Sequence, residues 1–162
     1  QFGGHPMAAG LTLKSENLSD FKKAIELAIV SQVQGKIPKP IVSYHMVISL
    51  NDLSPTMYRE FERIGPFGPG NEVPVFMAAE VVTAVPPRTV GHGGRHLKLV
   101  VQSTNNPSHR FEAIGFGMGE RIDEVRAWRT FDIVFTLAKN TYRGRSTLNL
   151  HLRAIRAHRI GH

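Results

Sequence analysis

The sequence contains no cysteine in its 162 residues. This absence excludes disulfide bonds, thiolate nucleophiles and cysteine-ligated zinc sites, and it is typical of a cytoplasmic protein. Long apolar runs are also missing, since the longest is far short of the ~20 residues that a membrane-spanning helix needs, and no segment resembles a signal peptide. We therefore expect a soluble protein that acts away from membranes.

Carboxylate side chains are scarce in the second half of the sequence, and none follows Asp132. Residues 1–87 carry seven basic and eight acidic side chains, a net charge of −1. Residues 88–162 carry thirteen basic and five acidic side chains, a net charge of +8. This separation predicts that the second half binds a polyanion, most often nucleic acid. A basic surface that only aids solubility is the alternative.

Groupings that would catalyse hydrolysis are missing as well. The sequence shows no pair of carboxylates, no nucleophile with a base and no Asp/His cluster. His92 and His96 lie four apart, as do His158 and His162, but a glycine-rich loop and a fraying chain end do not hold the helical geometry that such pairs need. The stretch "GPFGPGN" lacks the Gly-Lys-Ser/Thr ending of a phosphate loop. These residues by themselves predict a binding protein without a metal site.

Hydrophobic periodicity predicts two helices in the first half. The stretch "ENLSDFKKAIELAIVSQVQG" has apolar side chains at helical spacing, with Asn17 as its N-cap and Gly35 as its stop. In "LSPTMYREFERIG", Ser54 is a natural N-cap, Pro55 fits the first helical position and Gly65 fits the position past the end. Between them, "IVSYHMVISL" is rich in β-forming residues and predicts a strand.

From residue 74 onward the apolar period changes from 3.6 to 2, which predicts strands. The strand-like runs are residues 74–85, 96–103, 110–117, 131–138 and 147–156. The charged segment "GERIDEVRAW" separates the third run from the fourth and is long enough for a short helix. Three strands, a helix and two strands is the order of an OB-fold, a five-stranded Greek-key barrel. The fold class is therefore α+β, with this barrel at its C-terminal end.

An OB-fold contacts oligonucleotides with its strand 1–2 and strand 4–5 loops. In this sequence those loops are "PPRTVGHGGR", which includes His92, and "KNTYRGRS". They combine cations for phosphates with a tyrosine ring on which a base can stack. The predicted DNA-binding residues are Arg88, Arg95, Lys98, Lys139, Tyr142, Arg143 and Arg145. The alternatives are a turn aromatic that covers the barrel rim for Tyr142 and solvated loop charge for the arginines.

The chain opens with "QFGGHPMAAGLTL". Adjacent glycines let the backbone approach a ligand closely, and a histidine beside them can supply a proton or a hydrogen bond. The composition of this stretch is therefore typical of one side of a ligand-binding site. A tight turn that leads into a strand is the alternative.

Three stretches in this order resemble the RecJ family of DHH phosphoesterases. The stretch "GGHPMAAG" resembles the Gly-Gly-His motif of the DHH-associated domain, and "FERIGPFGPGNEVPVF" resembles the segment that leads into the RecJ OB-domain. The pieces "HLKLVV", "AIGFGMG", "FDIVFTLAKN" and "LNLHLRAIR" resemble that domain itself. The resemblance implies a remnant of the DHH-associated, substrate-clamping domain in residues 1–36, a connecting strand and helix in 37–73, and the OB-fold in 74–162.

The resemblance also implies an activity. RecJ proteins are single-strand-specific DNA exonucleases of repair and recombination that degrade from the 5′ end with manganese or magnesium. Their metal ligands lie in an N-terminal DHH domain that is absent from this sequence, so we expect an inactive C-terminal part that binds single-stranded DNA and holds no metal. Gly3, Gly4 and His5 would contact phosphate near the scissile bond, with His5 as a clamp or electrostatic stabiliser. A single-strand-binding protein is a further expected partner.

Two other functions stay open. A stand-alone OB protein that coats single strands has no use for the Gly-Gly-His stretch, and a phosphodiesterase for RNA or small nucleotides has no use for a long single-strand track. A preference for DNA over RNA does not follow from the residues, because stacking and phosphate contacts do not sense the 2′-hydroxyl. The apolar strand near Met7–Leu13, separated from its sheet neighbours, is expected to pair with a second copy.

Overall fold

The computed structural model describes residues 2–5, 8–33, 41–142 and 145–159. Of Phe2 and of residues 141, 142, 145 and 146 it describes the backbone alone. The chain divides into two compact units, Gln1–Ile41 and Val42–His162. The region boundaries predicted at residues 36 and 73 stay predictions.

The first unit contains a β-hairpin. Strand β1 (Phe2–His5) pairs antiparallel with β2 (Ala8–Leu11), so that Gly4 lies opposite Ala9 and His5 opposite Ala8. The Gly-Gly-His stretch is therefore itself a strand, and the apolar segment after it has β1 as a sheet neighbour. Pro6 and Met7, at the start of the predicted pairing segment, lie outside the described residues.

The predicted first helix is present as α1 (Leu18–Gln32). Asn17 occupies its N-cap position but has φ −89° and ψ 0°, and its side chain makes no capping hydrogen bond. The predicted capping role of Asn17 is wrong because this residue already belongs to a 3₁₀ turn over Ser15–Asn17. Gly35, the predicted stop, lies outside the described residues.

The second unit is a closed five-stranded barrel, and the predicted OB-fold is confirmed. The barrel strands are β4 (Phe76–Thr83), β6 (His96–Ser103), β7 (Asn106–Gly115), β8 (Phe131–Tyr142) and β9 (Arg145–Ala157). They follow the order β4-β8-β9-β7-β6, and β6 returns to pair with β4. All neighbours run antiparallel except β7 and β9, which are parallel. Helix α3 (Ile122–Ala127) joins β7 to β8, as the charged segment predicted.

Two short strands extend the barrel sheet. Strand β3 (Met46–Val47) pairs parallel with β4, and β5 (Arg88–Val90) pairs antiparallel with β6. The long strand predicted over "IVSYHMVISL" is wrong beyond β3. Met46 and Val47 form the strand, the backbone N–H groups of His45 and Ile48 on either side donate to the carbonyls of Val75 and Met77, and Ile41 is 91% exposed. The predicted strand 1–2 loop, in turn, contains β5.

The loop predicted between the last two strands is mostly strand. Pairing between β8 and β9 continues until Tyr142 lies opposite Arg145. Periodicity missed this extension because the stretch "KNTYRGRS" has no alternation of apolar and polar residue types.

Helix α2 (Pro55–Arg63) is capped as predicted. The Oγ of Ser54 accepts a hydrogen bond from the backbone N–H of Met57 at 3.1 Å, and Pro55 is the first helical residue. The ring of Phe61 packs against Phe76 of the core with centroids 5.2 Å apart. The turn before this helix contributes Leu50 and Leu53, which are buried in the same core and which strand periodicity did not predict.

Candidate nucleic-acid interface

The outer face of the barrel carries a groove of about 290 Å³ over β6, β7, β8 and β9. Strand register brings its lining together, since Lys98 lies opposite Ile114 and Ile114 lies beside His151. Leu99 and Leu150, each one residue away along its strand, point into the core and are buried. The alternation of each strand therefore presents one row of side chains to the groove. We call this surface the β6–β9 groove.

An exposed aromatic ring lines the β6–β9 groove. Phe116 is 56% exposed, and the rings of His96 and His151 contact it in T-shaped geometry with centroids 5.3 Å and 5.4 Å away. The sequence reasoning missed Phe116 and His151. The alternation along β7 could have identified Phe116. Phe111 and Ala113 face the core, and Phe116, which lies an odd number of positions after each of them, faces outward.

Backbone contacts hold this aromatic corner in place. The N–H of Gly117 donates to Nδ1 of His96 at 3.1 Å, and the N–H of Gly119 donates to the carbonyl of Arg95 at 3.0 Å. A Cβ on Gly119 would overlap the carbonyl oxygen of Gly94, so only glycine permits this approach. The glycine-rich loop before β6 and the turn after β7 are thus locked together.

The environment of His151 favours its neutral form. Burial lowers its pKa, and the positive charge of Arg153 lowers it further. The imidazole beside Phe116 therefore acts as an aromatic partner, and the cations that line the groove are Lys98 and Lys139.

The predicted DNA-binding cations differ in their partners. Arg88 and Arg95 are exposed and form no ion pair within the described part of the chain, and the same holds for Lys139, which lines the groove. Arg88 lies opposite Lys98 in the sheet. Lys98 also lines the groove, but its Nζ lies 2.9 Å from Oε1 of Glu112, so Glu112 neutralises part of its charge.

Three of the predicted DNA-binding residues lie in the hairpin that β8 and β9 form, where the structure describes no side chains from residue 141 to residue 146. Arg143 is outside the described residues, and the structure describes the side chains of neither Tyr142 nor Arg145. Their assignment to DNA binding stays a prediction.

Most carboxylates of the basic half are already paired. Asp123, Glu124 and Asp132 form ion pairs with Arg126, Arg121 and Arg156 at 3.1, 2.7 and 2.9 Å. These arginines therefore stabilise the local structure through ion pairs within the chain. In the basic half, the described cations without a carboxylate partner are Arg88, Arg95, Arg110, Arg129, Lys139, Arg153 and Arg159. Among them, Arg110 donates a hydrogen bond to the carbonyl of Pro107 at 2.8 Å.

The Gly-Gly-His stretch lies in the first unit and is exposed. A Cβ on Gly4 would lie 3.0 Å from the Cβ of Ala9, so the small size of Gly4 serves pairing between β1 and β2. Gly3 has open space around it and leaves room for a ligand. The predicted phosphate contact of Gly3, Gly4 and His5 stays a prediction.

A metal site does not follow from the described residues. No three histidine, aspartate or glutamate side chains in that part of the chain come together in a way that could hold a metal ion. Among the same residues, no helix has the length and apolarity to cross a membrane.

Known proteins resemble this chain in sequence and in fold. The family described as RecJ OB domain matches residues 44–154. A Bacillus subtilis protein named single-stranded-DNA-specific exonuclease RecJ is 27% identical over 153 residues, which are 94% of this chain and 19% of that protein. The Haemophilus influenzae protein of the same name is 22% identical over 150 residues, which are 93% of this chain and 26% of that protein. The chain thus spans a fifth to a quarter of the length of these relatives.

The crystal structure of RecJ from Thermus thermophilus in complex with Mn²⁺ matches 99% of this chain and 22% of that one, with a TM-score of 0.62 and 21% identity. The corresponding complex with Mg²⁺ matches with a TM-score of 0.58, again at 21% identity, over 99% of this chain and 23% of that one. At this identity the likeness shows a shared fold.

Proposed function

Because the chain belongs to the RecJ OB domain family, we propose that its barrel binds single-stranded DNA along the β6–β9 groove as part of a longer 5′-to-3′ exonuclease. The observation that carries this proposal is unpaired positive charge at the groove and beside it. Lys139 lines the groove, and Arg88 lies opposite the groove residue Lys98 in the sheet. Neither has a carboxylate partner within the described residues, nor does Arg95 in the loop before β6, whereas most carboxylates of the basic half are held in ion pairs. Phosphates supply the negative charge that these side chains lack.

Catalysis belongs to the complete protein in this proposal. The relatives are named exonucleases and are four to five times longer than the matched region, and the matching crystal structures hold Mn²⁺ or Mg²⁺. The described residues of this chain offer no ligand cluster for such an ion. The metal would therefore be held by residues outside this chain, and this chain alone would not cleave DNA.

The first unit would act on the same strand. Gly3 and Gly4 would present backbone N–H groups to a phosphate near the scissile bond, and His5 would donate a charge-assisted hydrogen bond to it. A role in DNA repair and recombination, and a single-strand-binding protein as partner, follow from the family and stay proposals. Pairing with a second copy would use the edge of β2 that β1 does not occupy.

Fluorescence anisotropy with a labelled single-stranded oligonucleotide tests the proposal. Lys139→Gln and Arg88→Gln should each weaken binding and lower the slope of log affinity against log salt by about 0.7, because each removes one phosphate contact. The same effect is expected for Arg143→Gln and Arg145→Gln.

Two further variants sharpen this test. Glu112→Gln should strengthen binding, since it releases the charge of Lys98. Arg129→Gln is the matched control, because Arg129 is equally exposed but lines a different pocket, with Glu80 and His158. Unchanged binding by the Lys139→Gln/Arg88→Gln double variant at low salt would mean that the groove is not the DNA site.

A further inference from the structure

Phe116 is unusual among the aromatic side chains of the barrel. Phe76, Phe131 and Phe135 are at most 2% exposed, whereas Phe116 is 56% exposed and lines the β6–β9 groove. Packing does not require a large ring at this position, because the core is complete without it. The same groove is lined by Lys139, which has no carboxylate partner within the described residues. An exposed ring together with a cation is the combination that single-strand binders use, with the cation on a phosphate and the π-face on a base.

The ring is held in a fixed position by the chain on both sides of it. On one side, Gly115 packs so closely on Met118 that a Cβ there would lie 2.7 Å from the sulfur. On the other side, Gly117 has φ +72°, a conformation that favours glycine, and its N–H donates to His96 Nδ1 at 3.1 Å. Such preorganisation lowers the entropic cost of binding.

His96 serves this turn in two ways. Its ring contacts Phe116 with centroids 5.3 Å apart, and its Nδ1 accepts the Gly117 hydrogen bond, which fixes Nδ1 as the unprotonated nitrogen. His96 lies on β6, while Phe116 and Gly117 follow β7. The imidazole therefore ties the aromatic turn to the neighbouring strand.

We propose that Phe116 is a stacking platform for one base of the bound strand and that His96 is the residue that positions it. This inference rests on the proposed function and adds a contact with a base, which phosphate binding does not require. His96 does not touch the base in this arrangement and acts through the turn at Gly117.

Substitutions at Phe116 test the contribution of base stacking to affinity separately from that of phosphate contacts. Phe116→Leu keeps an apolar side chain but removes the π-face, so affinity for single-stranded oligodeoxythymidylate should fall about 5- to 100-fold with an unchanged salt slope. Phe116→Tyr keeps a ring and should bind like the parent. Phe67→Leu is the matched control, because Phe67 lines a pocket beside α2 and not the groove.

An abasic strand of the same length is the second probe. Without bases there is nothing to stack, so the parent and Phe116→Leu should bind it equally. Lys139→Gln should weaken binding to both strands. If Phe116→Leu binds oligodeoxythymidylate like the parent while Lys139→Gln does not, the platform is refuted and the proposed groove survives. If the parent binds neither strand, both proposals fail.

The positioning role of His96 has its own test. In His96→Asn the amide oxygen takes the place of Nδ1 and can accept the Gly117 N–H, whereas His96→Leu has no acceptor there. We expect near-parental affinity from His96→Asn and a loss from His96→Leu similar to that of Phe116→Leu, on the base-containing strand alone. Equal affinities of the two His96 variants, each with a parental melting temperature, would refute the positioning role.

Discussion

The first unit and the barrel differ in how far they bury their apolar side chains. In the described part of residues 1–41 no side chain is buried, and α1 leaves Leu27 72% exposed and Ile29 49% exposed. In the described part of residues 42–162, seventeen apolar side chains form one buried core. The barrel therefore has its own source of stability, whereas a fifteen-residue helix without buried side chains is marginal by itself.

The first and second parts of the chain also differ in net charge. The first 87 residues are nearly neutral, and the barrel strands from β5 onward carry the excess of positive charge. Stability and the proposed DNA groove thus belong to one unit, and each can be tested against the other unit as an internal control.

The largest effect is expected from the barrel core. Phe135 is fully buried and its ring lies 5.9 Å from that of Phe76. Phe135→Ala should lower the free energy of unfolding by about 3–5 kcal/mol, because it removes buried apolar surface and leaves a cavity. Urea denaturation followed by Trp128 fluorescence measures this loss. Leu27→Ala is the control from the first unit and should change that transition by less than ~0.5 kcal/mol; a similar loss in both variants would abolish the distinction between the units.

An intermediate effect is expected at a buried carboxylate that ties the barrel together. The carboxylate of Asp132, only 6% exposed, accepts hydrogen bonds from Arg156 Nε at 2.9 Å and from the backbone N–H of Glu80 at 3.2 Å. It also lies 2.6 Å from Nδ1 of His158. Glu80 has φ +55° at the bulge of β4, so this bond supports a strained residue. Asp132→Asn should cost about 1–3 kcal/mol, because Arg156, His158 and the Glu80 backbone lose a buried, charged hydrogen-bond acceptor.

The same site predicts a pH dependence. Burial by itself raises the pKa of Asp132, but the hydrogen bonds from His158, Arg156 and the Glu80 backbone together hold it below its usual range. A depressed pKa in the folded state means that the stabilisation is complete above the unfolded pKa of about 4 and is lost as the pH falls through the lower folded value. The melting temperature of the parent should therefore fall more steeply below pH 4 than that of Asp132→Asn. Parallel curves would show that Asp132 does not carry this dependence.

The smallest effect is expected from removing the first unit. A chain of residues 42–162 retains the whole buried core and the groove. Its unfolding free energy should match that of the full chain within ~0.5 kcal/mol. Its affinity for a single-stranded oligonucleotide should fall by less than that of the Lys139→Gln/Arg88→Gln double variant, because the groove is intact and only the proposed phosphate contact of the Gly-Gly-His stretch is removed. Calorimetry and anisotropy measure the two quantities. A larger loss of affinity with an unchanged melting temperature would place the main DNA contact in residues 1–41.

Local signals in the sequence were sufficient for the barrel. The alternation through Leu97, Leu99 and Val101 predicted β6 with its observed bounds, and Ser54 with Pro55 predicted the start of α2. The same signals failed where apolar and polar residue types do not alternate in the sequence. The hairpin extension to Tyr142 and the edge strand β5 both lie there, so they were interpreted as loops.

By itself the sequence determined the order of the three helices and the five barrel strands, the inward or outward parity along strands such as β6 and the positive charge of the second half, because each of these depends on neighbouring residues alone. Only the tertiary structure decided which outward residues share the groove. Register between distant strands places Ile114 beside His151, and the turn at Gly117 bonds to His96, twenty-one residues earlier in the chain. Such pairings depend on barrel closure and on bulges, which no local period encodes. For that reason the cationic loops were named from the sequence, whereas the aromatic corner around Phe116 was not.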